Sequence, residues 1–468
     1  MAWAIGALVI VYWLQRGERP YRAESAILIF ATIVAVVSLF QEPDQPNTFE
    51  VADPSPFILA SCIWASIMLP IINYPFLSDD YVFAARTTFQ QALASQHFFR
   101  PLFSVLFLAL YRLGDGSPWV FHGVAFALHV TAGFLVSVIG RKLSDNAGVG
   151  WVAGALFLLS PLQPEATLWV SGIQDLLWTT FGLAAIVVCT EAPRLTVSRT
   201  ACVILFFAAA LLSKETAVCI PLLIITSDFK VFGLATLRAR IGLYSSLAAV
   251  LAGYVVLWSR SAAAAAGEAW PHLSRYFVKQ FLATTFGTLA LPWNMEIFGR
   301  PSFVIGLVGI LLCGGAFRLS TRKPRLLLAG ALLVLAAVLP LGGYLFVGRD
   351  LAGTRYLYGA NVGWAILTGA LVISVGRSVA ATRAAAGVAI ATLSILLLMN
   401  LRPWRTVADL MHDMERSSDS SDAVIRNWIL TAPCTVHFTP EGRPDRCGGV
   451  YIFRNGYSEF VRIRKRGE

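Results

Sequence analysis

The chain has 468 residues, of which 57% are hydrophobic and 14% are charged, and its formal net charge is +10. A soluble domain carries about 25% charged and about 45–50% apolar residues, so this composition excludes a soluble enzyme, a disordered chain and a nucleic-acid-binding protein. The apolar residues form long continuous runs, without the period-two alternation of a membrane barrel. The composition therefore predicts an all-α polytopic membrane protein whose positive charge faces the bilayer surface.

Hydropathy and helix breakers predict about 11 to 13 transmembrane helices, several of them too short to cross a bilayer unbent. The candidate spans are residues 1–14, 25–40, 57–75, 118–140, 148–163, 175–190, 201–213, 216–229, 242–258, 302–317, 326–346, 357–376 and 384–400. Segment 273–291 is amphipathic at its start, which predicts an interfacial or re-entrant position. The pattern divides the chain into N-terminal membrane segments (1–56), a transmembrane catalytic module (57–400, with a first external loop at 76–117) and a tail (401–468).

Loop charge predicts the orientation in the membrane. Basic residues such as Arg141, Lys142 and Lys323 concentrate in one set of short connectors, which the positive-inside rule places in the cytoplasm. The long loops 76–117 and 259–301 and the tail then face outward. We therefore expect a multi-pass protein of a bacterial inner membrane whose functional face meets the periplasm or exterior.

The tail changes composition after residue 400. A polar helical stretch (406–430) precedes two alternating segments joined by Asn455-Gly456, which is a β-hairpin signal. The sequence thus predicts a small extracytoplasmic α/β unit. Cys434 and Cys447 could form a disulfide there, and two unpaired thiols are the alternative.

The first external loop opens with an acidic pair. Asp79 and Asp80 follow the span 57–75 directly, and Arg100 begins a second short helix in the same loop. Two adjacent carboxylates at this depth could act as a base or hold a divalent cation such as Mg or Mn. In the alternative interpretation, Asp79 caps a helix and Asp80 favours its dipole.

Further ionisable residues fall at the outer ends of later spans. His122 and His129 lie seven residues apart on one helix face, where they could contact substrate or simply pack as hydrogen-bonded polar groups. Glu165 and Asp175 flank a short outward loop that contains Trp169. Any single charged pair of this kind could be structural.

Two more outward turns carry bases. Lys214-Glu215 form one of them, and Arg355-Tyr356 belong to the other, GRDLAGTRYLYG. Acids and bases from separate loops thus converge on one membrane face, which predicts a polar cavity at the outer leaflet. Such a cavity suits a lipid-tailed donor, because Arg and Lys would stabilise a phosphate leaving group and a carboxylate would take a proton from a hydroxyl.

The order of these motifs resembles the GT-C superfamily of membrane glycosyltransferases. It is most similar to the protein O-mannosyltransferase-like branch, which includes the enzymes that carry tetratricopeptide repeats. The resemblance covers about residues 57–400 and implies an inverting transferase that uses a polyprenyl-phosphate sugar. By residue, it matches the catalytic acidic pair to Asp79 and Asp80, the start of the second loop helix to Arg100, the acids of the outward turn to Glu165 and Asp175, and bases near the donor phosphate to Lys214 and Arg355.

The chain also departs from that family. Gln174 stands where a basic residue often precedes the second acid, and no tetratricopeptide array follows the membrane module. The resemblance therefore leaves the acceptor open among lipid, glycan and protein, and it leaves the use of a metal open.

The sequence predicts an integral-membrane inverting glycosyltransferase that moves a sugar from a polyprenyl-phosphate donor to an acceptor hydroxyl. The predicted catalytic residues, which could also bind the cation, are Asp79 and Asp80. The predicted substrate-binding residues are Arg100, His122, Glu165, Asp175, Lys214, Glu215, Arg355 and Tyr356. The alternatives are a transporter or flippase for lipid-linked sugars, which predicts broken helices and an inverted repeat, and a ligase that transfers a whole glycan from a lipid diphosphate.

Overall fold

A computed structural model describes residues 53–77, 80–84, 88–90, 99–261, 275–299, 302–345, 347–348, 351–375 and 378–417, and four short strands between residues 437 and 462. The predicted spans 1–14 and 25–40, the carboxylate of Asp79, and the cysteines Cys434 and Cys447 lie outside the described residues.

The described part of the chain is mainly α-helical. In chain order its helices are α1 (Ser55–Met68), α2 (Asp80–Ala84), α3 (Pro101–Leu113), α4 (Pro118–Ser144), α5 (Ala147–Leu158), α6 (Pro164–Leu168), α7 (Ile173–Cys189), α8 (Val197–Ser213), α9 (Ile220–Phe232), α10 (Leu234–Ala239), α11 (Ile241–Ser259), α12 (Arg275–Ala290), α13 (Met295–Phe298), α14 (Ser302–Arg322), α15 (Pro324–Val338), α16 (Ala360–Val375) and α17 (Val379–Ser417). Short 3₁₀ turns lie at Leu69–Ile71, Val170–Gly172, Glu215–Cys219, Leu339–Tyr344 and Thr354–Leu357.

The prediction of a multi-pass helical membrane protein is confirmed. Five helical stretches among the described residues are long and apolar enough to cross a membrane: Pro118–Ser144, Val170–Cys189, Ile241–Ser259, Pro324–Leu341 and Val379–Arg405. Shorter apolar helices accompany them at Ser55–Ile71, Pro101–Leu113, Ala147–Leu158, Val197–Ser213 and Ala360–Val375. The bundle is therefore a mixture of full-length and short apolar helices, as expected from the uneven run lengths.

Proline residues explain where two predicted spans differ from the observed helices. The span predicted at 148–163 ends as a helix at Leu158, because Pro161 and Pro164 cannot continue the hydrogen-bond ladder. The segments 201–213 and 216–229 are separate helices, α8 and α9. Lys214 between them is extended (φ −160°, ψ 139°), and α9 has a proline in its first turn. Both breaks leave irregular backbone at one end of the bundle.

Glycine residues let α4, α5 and α16 pack at backbone distance. A Cβ on Gly154 in α5 would lie 1.9 Å from Oγ of Ser137 and 2.7 Å from the carbonyl oxygen of Gly133, both in α4. A Cβ on Gly369 in α16 would lie 3.0 Å from the backbone nitrogen of Ala153. Small residues permit such close contacts between membrane helices.

The tail contains the predicted hairpin. Strand β3 (Gly449–Arg454) pairs antiparallel with β4 (Tyr457–Arg462), with Arg454 opposite Tyr457, and β1 (His437–Phe438) pairs with β2 (Pro444–Asp445). Helix α17 continues through residue 400 to Ser417, so the start of the predicted tail is the end of the last membrane helix.

Candidate active site

Ionisable side chains collect where the irregular turns meet at one end of the bundle. Asp80, Glu165, Asp175 and Lys214 are each at most 5% exposed. Burial of a charged group is unfavourable unless a partner or hydrogen bonds compensate it, so the contacts of these residues define the site.

Asp80 is fully buried and anchors two loops to each other. Its Oδ1 accepts hydrogen bonds from the backbone nitrogen of Ser171 (2.8 Å) and from Ser171 Oγ (2.7 Å), and its Oδ2 accepts from the backbone nitrogen of Leu77 (2.9 Å). Hydrogen bonds from N–H and O–H donors stabilise the ionised carboxylate. The carboxylate thus ties the first external loop to the 3₁₀ turn Val170–Gly172.

Lys214 and Asp175 form a buried ion pair at the floor of the site. The Nζ atom of Lys214 donates to Oδ1 of Asp175 at 2.6 Å and to Oδ2 at 2.7 Å. Their side chains are 4% and 3% exposed, respectively. The indole Nε1 of Trp178 donates to the same Oδ1 at 3.3 Å. Asp175 therefore compensates Lys214 within the protein.

Arg100 reaches the site from the start of α3. Its Nε donates to Oε2 of Glu215 at 2.7 Å, and its two terminal nitrogens donate to Oε1 of Glu215 and to Oε1 of Gln174. A guanidinium matches a carboxylate in this two-point geometry. The side-chain oxygen of Gln174 thus accepts a hydrogen bond from an arginine that another segment supplies.

Electrostatics keep Glu215 ionised. Burial raises the pKa of Glu215, but the charges of Arg100 and Lys214 and the hydrogen bonds from Arg100 together outweigh burial and lower the pKa from 4.5 to about 2. The Glu215 side chain is still 42% exposed, whereas that of Arg100 is 12% exposed. The Arg100–Glu215 pair therefore lines one side of the site and is accessible to water.

Arg355 lies in the 3₁₀ turn Thr354–Leu357 and contacts both acidic and aromatic groups. Its guanidinium carbon is 4.0 Å from the ring centroid of Trp169, and a terminal nitrogen is 3.6 Å from Oε1 of Glu165. Oε2 of Glu165 accepts from the Arg355 backbone nitrogen (3.1 Å) and from Oγ1 of Thr354 (3.2 Å). Glu165 therefore fixes the turn through its backbone as well as pairing with the side chain.

Tyr356 connects these pairs into one site. The Nζ atom of Lys214 lies 5.0 Å from the centroid of the Tyr356 ring, and the guanidinium carbon of Arg355 lies 5.1 Å from it. The same aromatic ring therefore adjoins the Lys214–Asp175 and Arg355–Glu165 pairs, and Glu215, the partner of Arg100, directly follows Lys214 in the chain. The structure thus brings together predicted residues from four turns, namely Arg100, Glu165, Asp175, Lys214, Glu215, Arg355 and Tyr356.

The two histidines of α4 lie behind the charged site. Both ring nitrogens of His122 face backbone carbonyl oxygens, those of Tyr74 (2.9 Å) and Thr167 (3.3 Å), and the residue is fully buried. This position favours the packing interpretation of His122 over a substrate contact. His129 is also fully buried, with Nδ1 2.8 Å from the hydroxyl of Tyr358.

The predicted cation site at Asp79 and Asp80 stays a prediction, because the carboxylate of Asp79 lies outside the described residues. No group of three or more His, Cys, Asp or Glu residues suited to one ion occurs within the part of the chain that the structure describes. Both carboxylate oxygens of Asp80 already accept hydrogen bonds from Leu77 and Ser171. These contacts favour an anchoring role for Asp80.

The sequence did not indicate several residues that complete the site. Ser171 holds Asp80 from 91 positions away, and Thr354 supports Glu165 from 189 positions away. Trp178 was an apolar helix residue without a chemical interpretation. The sequence signal for the contact between Gln174 and Arg100 is the departure of Gln174 from the motif pattern of the GT-C resemblance.

Comparison with known proteins gives one match by sequence. No family model matches the chain. A stretch of 78 residues is 40% identical to Protein O-mannosyl-transferase Tmtc2 of Drosophila melanogaster, and it makes up 16% of this chain and 8% of the fly protein. The match agrees with the resemblance to O-mannosyltransferases, but the chain spans only this small part of that relative.

Solved structures of membrane transferases are similar at low identity. An archaeal oligosaccharyltransferase, AglB from Archaeoglobus fulgidus in complex with an inhibitory peptide and a dolichol-phosphate, is 11% identical, with a TM-score of 0.44 over 78% of this chain and 58% of its own. ArnT from Cupriavidus metallidurans bound to undecaprenyl phosphate is 14% identical, with a TM-score of 0.39 over 78% of this chain and 80% of its own. At these TM-scores the similarities do not establish a shared function.

Proposed function

We propose that this protein is an integral-membrane inverting glycosyltransferase, which moves a sugar from a polyprenyl-phosphate donor to an acceptor hydroxyl at the outer face of the membrane. One observation carries the proposal. Three cations (Arg100, Lys214 and Arg355) from separate turns are each paired with an acid at one end of a bundle of membrane helices, and Lys214 and Arg355 adjoin the Tyr356 ring. A lipid phosphate entering from the bilayer requires such a polar site beside apolar helices.

The contacts divide the cations by role. The Lys214 side chain is 4% exposed and donates two hydrogen bonds to Asp175, so it supports the floor of the site. The Arg355 side chain is 19% exposed, and its guanidinium lies 3.6 Å from Glu165, which is longer than a hydrogen bond, and donates to the hydroxyl of Tyr356 at 3.3 Å. A phosphate that binds Arg355 therefore replaces weaker existing contacts than a phosphate that binds Lys214. We assign the leaving phosphate to Arg355, with Arg100 as the second cation.

The acidic pair supplies the base in this proposal. The acceptor oxygen attacks the anomeric carbon while the bond from that carbon to the phosphate oxygen breaks, and the phosphate leaves with the electron pair. The acceptor proton passes to a carboxylate, and attack from the opposite face inverts the anomeric centre. Because Asp80 already accepts three hydrogen bonds, we assign the proton to its neighbour Asp79 and anchoring to Asp80.

Two supports come from the sequence. The order of motifs resembles the O-mannosyltransferase-like branch, and the 78-residue match is to a protein named an O-mannosyl-transferase. Basic short connectors such as the one with Arg141 and Lys142 support a cytoplasmic position for the opposite end of the bundle. We accordingly place the site on the periplasmic or exterior side of a bacterial inner membrane. The acceptor class is the hydroxyl of a lipid, glycan or protein.

The experiment is a transfer assay with purified protein in liposomes. The probe is a polyprenyl-phosphate hexose labelled in the sugar, with water as the minimal acceptor. We expect release of hexose with the inverted anomeric configuration, and we expect Arg355→Ala to reduce the rate about 100-fold or more. The matched control is Arg383→Ala, because Arg383 pairs with Asp53 and its side chain is 63% exposed. Movement of the donor across the liposome membrane without cleavage would instead identify a flippase and reject the proposal.

A further inference from the structure

Gly359 has no room for a side chain, because the ring of Trp178 occupies that space. A Cβ atom built on Gly359 would lie 2.3 Å from Cη2 of Trp178 and 2.6 Å from Cζ2, closer than the 3.0 Å that real Cβ atoms keep. Gly359 itself is buried and lies two residues after the turn Thr354–Leu357, which carries Arg355. The glycine is therefore required by space, and the ring of Trp178 packs directly on the backbone.

The same indole contacts the ion pair at the floor of the site. Trp178 is 2% exposed, and its Nε1 donates to Oδ1 of Asp175, one helical turn earlier in α7. Asp175 in turn accepts two hydrogen bonds from Lys214. One edge of the ring thus touches the Lys214–Asp175 pair, while its far end touches Gly359.

The opposite side of this backbone segment is also held. The hydroxyl of Tyr358 lies 2.8 Å from Nδ1 of His129, and Nε2 of His129 lies 3.1 Å from the carbonyl oxygen of Leu158. A neutral imidazole satisfies both contacts if it carries its proton on Nε2, donates to Leu158 and accepts from Tyr358. The dipeptide Tyr358-Gly359 is therefore clamped between α4 and α7.

We infer that Trp178 is a positioning residue, which sets the distance between the Lys214–Asp175 pair and the turn that carries Arg355 by packing on the bare backbone of Gly359. Lys214 and Arg355 adjoin the same ring, that of Tyr356, at 5.0 and 5.1 Å. A shift of Gly359 away from Trp178 moves this turn relative to Lys214. The inference rests on the proposed function, since it takes Arg355 as the contact for the donor phosphate.

A small cavity lies beside the Trp178 ring. It measures about 20 Å³ and is lined by Trp178, Thr179, Gly359 and apolar side chains of the surrounding helices. This space is much smaller than an indole ring, so a methyl group on Gly359 shifts the ring, the backbone of residue 359, or both by a small distance. Either shift changes the spacing between the Lys214–Asp175 pair and the turn that carries Arg355, and a shift of the ring also weakens its hydrogen bond to Asp175.

The test is a double-mutant cycle on residues 178 and 359. Gly359→Ala introduces the clash, and Trp178→Phe removes the ring atoms that cause it. We expect Gly359→Ala to lower kcat/KM for the polyprenyl-phosphate hexose about 100-fold, because small displacements of catalytic groups have effects of this size. The double variant Gly359→Ala/Trp178→Phe should recover at least about tenfold of this loss. Gly253→Ala is the matched control, since a Cβ there meets no atom within 4 Å.

A binding measurement separates this inference from the proposed function. Binding of sugar-free polyprenyl phosphate is followed by the shift that it causes in the melting temperature of each purified variant. If the wild-type protein neither binds this lipid nor cleaves the donor, the proposed function fails. If the wild-type protein does both, and Gly359→Ala behaves like Gly253→Ala or is not rescued by Trp178→Phe, the positioning inference fails. Should Gly359→Ala not fold, Trp178→Phe alone decides, because wild-type lipid binding and kcat/KM in that variant overturn the inference.

Discussion

Lys214 donates to both carboxylate oxygens of Asp175 at 2.6 and 2.7 Å, although 39 positions separate the two residues in the chain. Lys214 lies at the break between α8 and α9, and Asp175 lies in the first turn of α7. The pair therefore joins two helices at the depth where the backbone becomes irregular. Its burial makes it a structural element of the site as well as a charged one.

Asp175→Asn removes the charge that compensates Lys214 and leaves the ammonium buried. Loss of one partner of a buried ion pair costs about 3–5 kcal/mol, so we expect this variant to be destabilised by an amount in that range. Equilibrium unfolding of the purified protein in detergent measures the difference in free energy from the wild-type protein.

A double variant provides the control for this prediction. Asp175→Leu/Lys214→Met removes both charges and should restore part of the stability, because apolar replacements of a buried pair are often neutral or stabilising. The restored protein should still be inactive in sugar transfer. Equal stability of Asp175→Asn and the wild-type protein would show that Lys214 finds another partner or loses its proton.

The contribution of the Arg100–Glu215 pair to stability should decrease at acidic pH. The folded-state pKa of Glu215 is about 2, below the ordinary value of 4.5, so its contribution is present above pH 4.5 and is lost as the pH falls towards 2. We expect Glu215→Gln to melt at a lower temperature than the wild-type protein near neutral pH, with a difference that shrinks from pH 4.5 downwards.

Glu191→Gln is the matched control for the pH series. The Glu191 side chain is 44% exposed, compared with 42% for Glu215, and it lies 3.8 Å from Nζ of Lys142 at a different surface. Surface pairs of this kind contribute little stability. A difference in melting temperature that stays constant with pH for Glu215→Gln, or that is equal for both variants, contradicts the assignment.

The sequence indicated which turns would meet but not which side chains would pair. The one-sided position of Glu165, Asp175, Lys214 and Arg355 follows from hydropathy and span counting, because ionisable groups collect at span ends. Lys214 pairs with Asp175, whereas Glu165 pairs with Arg355. These pairings join residues 39 and 190 positions apart, which local sequence patterns do not encode.

Apolar contacts were harder to predict than charged ones. Trp178 and Gly359 read as an ordinary membrane-helix aromatic residue and a turn glycine, since a single sequence shows no link between them. The end of the helix at Leu158, inside the predicted span 148–163, could be predicted from the sequence, because Pro161 lies within that span. The fold class thus follows from composition, while the precise shape of the site requires three-dimensional packing.

Asp80→Asn should abolish sugar transfer while leaving membrane insertion intact. Asparagine offers one acceptor oxygen, so its amide group faces a backbone or hydroxyl donor of Leu77 or Ser171 in either orientation. The first external loop then loses its anchor. Ser171→Ala removes only the hydroxyl donor to the charged carboxylate, and we expect a loss of about 1.5–3 kcal/mol in stability with partial activity.

Asp115→Asn is the control for Asp80→Asn. Asp115 is exposed and has a left-handed backbone (φ 49°), which asparagine tolerates. The Asp115→Asn variant should keep wild-type transfer activity. Transfer activity is measured on protein that elutes as a single species from size-exclusion chromatography, and full activity of Asp80→Asn would remove Asp80 from the catalytic arrangement.

Arg355→Lys tests whether the site needs a guanidinium or only a positive charge. The guanidinium lies 4.0 Å from the Trp169 centroid, and a lysine ammonium cannot reproduce this planar stacking together with a contact to Glu165. We expect kcat/KM for the polyprenyl-phosphate hexose to fall about tenfold to 100-fold in Arg355→Lys. Trp169→Leu removes the stacking surface but keeps the guanidinium. We expect kcat/KM to fall in this variant too, by a smaller factor than in Arg355→Lys. If Arg355→Lys retains wild-type kinetics while Trp169→Leu does not, the aromatic ring binds the sugar directly and the orientation of the guanidinium is not its role.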